Sequence, residues 1–72
     1  MIYADLLKYY LISKNYNIKE VFIQGDKYIR RIEIRFVDYN NFYAEQFKKD
    51  INTYLGDNYE YYNISSPEIC IR

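Results

Sequence analysis

Glu20, Arg31, Glu33 and Arg35 are the side chains whose types and spacing come closest to chemistry in this sequence. Two carboxylates brought together can divide the roles of general acid and general base. The same four residues lie in a stretch that reads as β-structure, however, and there ordinary cross-strand ion pairing accounts for them. We assign no catalytic residue. The chain has no histidine, which removes the commonest general base and most zinc chemistry, and leaves Ser13, Ser65 and Ser66 without an activating imidazole. Cys70 is the single cysteine. Alone it forms neither an internal disulfide nor a thiolate metal site, and it reads as a small half-buried hydrophobe. Gly25 and Gly56 belong to no phosphate loop: one fits a turn and the other a helix end. No metal or other cofactor is expected.

The element that must position the charged residues is Glu20 to Val37. Along its second half Ile32, Ile34 and Phe36 alternate with Arg31, Glu33 and Arg35, the period of a strand with one buried face. With a tight turn at Gly25-Asp26, Glu20 is expected opposite Arg31 and Phe22 opposite Ile29. Val21, Ile23, Tyr28, Ile32, Ile34 and Phe36 then share the inner side, and Phe22 and Ile29 form an apolar pair on the charged side.

Ahead of this hairpin, Tyr3, Leu6, Leu7, Tyr10 and Leu11 have the spacing of one helical stripe, predicting a helix over 2–14 that stops at Asn15. After it, Asn40 or Asn41 can cap a second helix from about Phe42 to Leu55, with Phe47, Ile51, Tyr54 and Leu55 inward, Asp50 outward and Gly56 beyond its end. Residues 59–64 and 68–72 read as strands separated by Ser65-Ser66-Pro67, with Ile69 and Ile71 facing in. The expected fold is α+β in the order α-β-β-α-β-β: a mainly antiparallel sheet of three to four strands with two helices packed on one face, in a single domain over 1–72. In topology alone this resembles a circularly permuted ferredoxin-like sandwich.

Seventy-two residues, half of them hydrophobic and 28% charged, suit a small globular chain. Ten basic and ten acidic residues balance to zero net charge, so the broad positive field of a general nucleic-acid binder is not expected. No membrane span or signal segment is read, and the cytoplasm is the expected location. Aromatic content is the anomaly: eleven tyrosines and four phenylalanines are more rings than so small a core can hide. AT-rich coding, which favours Tyr along with the abundant Asn, Ile and Lys, is an expected contributor to that excess.

If both helices cover one face, the other presents Phe22, Ile29, Arg31, Glu33 and Arg35. It also presents one set from the tail, either Tyr59 and Tyr61 or Glu60, Tyr62 and Ile64. Tyr59 and Tyr61 are the expected contribution. Aromatic residues and arginine dominate the energetic centres of protein interfaces. The expectation is therefore a non-enzymatic protein-binding module, such as a phage or mobile-element inhibitor that blocks a host protein, for instance an anti-CRISPR or other anti-defence protein acting on a nuclease. The alternatives are a homodimer and, less favoured, a sheet that binds single-stranded nucleic acid.

Overall fold

In the computed structural model, which describes residues 3–25, 30–38, 43–64 and 66–72, the elements follow the order α-β-β-α-β-β. Helix α1 spans Ala4–Ser13 and turns Leu7 and Leu11, one helical repeat apart, into the core. Its end is a Schellman motif: the Asn15 amide donates to the Ile12 carbonyl at 3.0 Å and the Tyr16 amide to the Leu11 carbonyl at 3.2 Å. Asn15 itself sits at φ 72°, the left-handed conformation that asparagine tolerates. The expected stripe was too wide. Leu6 is 54% exposed, because the helix rests its Leu7 and Leu11 side on the sheet and turns Leu6 away from it.

Strand β1, Ile18–Gly25, pairs antiparallel with β2, Arg30–Phe36. The register is displaced by four residues from the expected one: Glu20 lies opposite Arg35 and Phe22 opposite Glu33. Gly25 ends the strand, at φ 106°, instead of making the turn. The physical reason is pairing on the buried side. The observed register sets Val21 against Ile34 and Ile23 against Ile32, whereas the tight-turn register would set Val21 against Arg30. A displacement by an even number keeps every residue on its predicted face. Ile29 and Tyr28 lie outside the described residues. A bulge between Ile18 and Glu20 adds one residue, which lets Ile18 and Val21 both face inward and leaves Lys19 exposed.

Helix α2, Ala44–Leu55, starts later than predicted, at an N-cap Tyr43 that makes no side-chain cap bond; Asn40, Asn41 and Phe42 lie outside the described residues. Phe47 and Ile51 are fully buried, as the periodicity required. Asp50, expected on the outer side, is buried as well. Gly56 follows at φ 99° and ψ 175°, a combination open in practice only to glycine.

The tail forms β3, Tyr61–Tyr62, and β4, Glu68–Ile71, in one antiparallel sheet of order β1-β2-β4-β3. This is the strand order obtained by moving the first strand of a ferredoxin-like sheet to the chain's end. Pro67 stands just before β4, where it needs no amide, and its carbonyl accepts the Phe36 N–H at 2.9 Å. One apolar cluster joins Leu7 and Leu11, Phe47 and Ile51, and the inward residues Ile18, Ile32, Ile34, Phe36, Ile69 and Ile71. Both helices thus cover the same face.

Within that core the rings of Tyr16, Phe36 and Phe47 meet edge to face, with Tyr43 against Tyr16. Asp50 is held among them: the Tyr16 hydroxyl donates to Oδ2 at 2.7 Å and the Gln46 amide to Oδ1 at 3.2 Å. The Tyr10 hydroxyl donates to the Asp50 carbonyl at 2.8 Å and clamps α1 to α2. Burial explains why each polar atom there is matched, since an unmatched one costs about 1–3 kcal/mol. The Tyr10 phenol is pushed above its ordinary value of 10.0 by burial first, then by the Asp50 carboxylate and Tyr54.

Candidate functional site

The face of the sheet turned away from the helices is assembled from all four strands. At one level across it stand Phe22, Glu33, Cys70 and Tyr62, each directly opposite the next in the ladder. Aromatic rings flank the row and a carboxylate and a thiol fill its middle. Phe22 is 38% exposed and Tyr62 42%. On β1, β2 and β4, the next level carries Glu20, Arg35 and Glu68. On the other side are Gln24 and Arg31, and Arg72 with Glu60, which exchange backbone hydrogen bonds of 3.0 and 2.8 Å.

Each arginine on this face is engaged. Arg31 makes an ion pair with Glu33 at 3.1 Å and directs its Nε–H to the Cys70 sulfur at 3.1 Å, which helps to bury that thiol. Arg35 bridges Glu20 at 3.4 Å and Glu68 at 3.8 Å while its guanidinium lies 5.2 Å from the centroid of the Phe22 ring. Arg72 lies 5.4 Å from the Tyr62 ring, and the Tyr62 hydroxyl donates to Glu60 at 2.6 Å. That hydrogen bond to the carboxylate, foremost, holds the Tyr62 phenol above its ordinary value. The result is two arginine-backed rings on a scaffold of paired charges. Such pairs contribute little to stability on an exposed surface, but they place a guanidinium against each of the two rings.

Of the residues expected here, the structure brings Phe22, Arg31, Glu33 and Arg35 together. Tyr59 and Tyr61 are corrected: both pack on the core side. Tyr61 lies opposite inward-facing Ile71, and its hydroxyl reaches α2, donating to the Asn52 side chain at 2.8 Å. Burial raises its phenol above the ordinary range. Ile64 also packs against the core, so of the alternative tail set Glu60 and Tyr62 belong to the open face. Cys70, Glu68 and Arg72 also belong to this face, a placement the alternation around inward-facing Ile69 and Ile71 already required.

A second exposed apolar group lies on α1, where Tyr3, Leu6, Tyr9 and Ile12 all face solvent. Among the described residues there is no pocket, no group of three or more metal-ligating side chains, and no helix long and apolar enough to cross a membrane. No protein-family model matches the chain, and neither curated proteins nor solved structures provide a match.

Proposed function

We propose that this chain is a non-enzymatic protein-binding module that engages its partner through the open sheet face, centred on Phe22 and Tyr62 with Arg31, Glu33 and Arg35 around them. The observation that carries the reading is the pairing of each exposed ring with an arginine on a face anchored by regular β-structure. Rings and guanidiniums held in place bury much area for little loss of rotamer freedom, which is what the centre of an interface requires. Occupying a partner's surface needs only complementary area, and a short chain can supply that more readily than a placed catalytic constellation. The finer form of the proposal is a cytoplasmic inhibitor from a phage or mobile element that blocks a host protein, a defence nuclease being the example that suits a small blocking domain.

Charge favours protein over single-stranded nucleic acid. Arg31, Arg35 and Arg72 share the face with Glu20, Glu33, Glu60 and Glu68, so phosphates would meet at least as many carboxylates as guanidiniums there and would have to displace those already paired with Arg31 and Arg35. The test is capture of partners by immobilised protein at low and high salt. Retention through a steep rise in salt, lost on Phe22→Ala or Tyr62→Ala but kept on Tyr9→Ala, supports the proposal. Retention of nucleic acid alone, released by salt, overturns it.

A further inference from the structure

We propose that β1 is a self-pairing edge: two copies of the chain join antiparallel through Glu20–Gln24 about a two-fold axis at Phe22, giving one continuous sheet. This goes beyond partner binding by the open face: it rests on the backbone of the edge strand and, of the binding residues named for that face, shares only Phe22.

The ladder dictates which backbone groups are available. The Phe36 N–H donates to Pro67 on the β4 side, and the Val37 N–H donates to the Asn17 carbonyl on the β1 side. Backbone direction alternates along a strand, so Arg35, Glu33 and Arg31 point their amides and carbonyls at β1, where they meet Glu20, Phe22 and Gln24. Val21 and Ile23 must then point theirs outward. Within the described residues β1 has β2 as its sole strand neighbour, so no described strand takes up these outward groups.

The second copy follows from the residues themselves. Opposed residues of an antiparallel pair share a face, and hydrogen-bonded pairs must both point outward; together these allow the axis to fall at Val21, Phe22 or Ile23. Centred on Phe22, Val21 exchanges both backbone bonds with Ile23 of the second copy, on the core side. Glu20 there meets Gln24, a carboxylate opposite an amide that can donate to it. The two Phe22 rings fall in a non-hydrogen-bonded pair, where the strands approach to about 4.5 Å between Cα atoms. Centring on Val21 would instead set Glu20 against Phe22, and centring on Ile23 would set Phe22 against Gln24. The stretch Glu-Val-Phe-Ile-Gln is thus nearly palindromic in chemistry, as an isologous contact demands.

Structure bounds the window at both ends. The bulge next to Lys19 twists one end away, and Gly25 at φ 106° closes the other. The opposite sheet edge, β3, is two residues long, so pairing through β1 closes at a dimer without extending to a fibre. Val21 and Ile23 are only half-buried in one copy, although they face the core, and a second sheet would cover them.

The test combines sedimentation of the full chain over a hundredfold range of concentration with amide hydrogen exchange. The expected result is a species of twice 8.9 kDa at high concentration. Protection of the Val21 and Ile23 amides should rise in step with it, at least tenfold above the dilute sample. Val21→Pro removes one outward amide and leaves the β1–β2 ladder its donors, and should give a monomer with an unchanged far-ultraviolet spectrum. A monomer throughout, or a dimer whose Val21 and Ile23 amides exchange as they do in dilute solution, overturns the proposal. Since Val21→Pro leaves Phe22, Tyr62 and the arginines in place, loss of the dimer with retained partner capture separates this inference from the preceding one.

Discussion

Asp50 shows how far a single residue departs from its sequence context. Preceded by Lys48 and Lys49, it reads as part of a solvated helix side, yet it accepts hydrogen bonds from Tyr16 and Gln46 inside the core. Periodicity could not reveal this, because the donor that makes burial tolerable comes from Tyr16, which closes the turn that ends α1, thirty-four positions away. Tyr16→Phe should therefore cost about 1–3 kcal/mol, read as a lower urea midpoint with an unchanged slope. A loss near zero would show that the carboxylate finds water instead. The raised phenols of Tyr10 and Tyr61 add a pH dependence. The folded chain holds these protons more tightly than the unfolded one, so their contribution is intact below the ordinary value of 10.0 and is lost as pH climbs above it. Replacing both by Phe should flatten the fall of the urea midpoint above about pH 10.

At the scale of elements, what was legible was what repeats. The alternation of Ile32, Ile34 and Phe36 with Arg31, Glu33 and Arg35 gave the faces of β2 correctly, and Ile69 and Ile71 did so for β4. The hairpin register was not legible. Gly25 in a positive-φ position signals a turn as readily as a strand end, and the choice was made by pairing among Val21, Ile23, Ile32 and Ile34. Residues 59–64 carried four large side chains and no clean alternation, so nothing local distinguished Tyr61 inward from Tyr62 inward. The inward position of Ile71 decides it, since Tyr61 pairs with Ile71 in the ladder. Helix ends lend themselves to substitution. Gly56→Ala should cost about 1–2 kcal/mol although its new methyl would meet nothing within 4 Å, because the penalty lies in the backbone at φ 99°. Asn15→Gly should be neutral or better, whereas Asn15→Val should destabilise by a similar amount. Thermal melts of the three variants check both statements.

For the whole molecule, the decisive fact is the one-sided covering of the sheet. Two helices bury the inner face, and the outer face is left with rings, arginines and carboxylates in mutual contact. Sequence pattern located this face because the charges of β2 lie on it. It did not give the face's far side, where Tyr62 and Arg72 stand in place of the expected Tyr59 and Tyr61. Phe22→Ala should leave the fold intact, its ring being partly exposed, and weaken partner binding by about 2 kcal/mol, roughly 30-fold, as truncation at an interface centre does. The most direct test is quantitative capture from a cell lysate at high salt by the original chain, Phe22→Ala, Tyr62→Ala and Tyr9→Ala side by side. A protein retained by the first and last and lost from the two sheet-face variants, all four folded, is the predicted result. Equal retention by all four, or loss on Tyr9→Ala alone, would contradict a partner site on the open sheet.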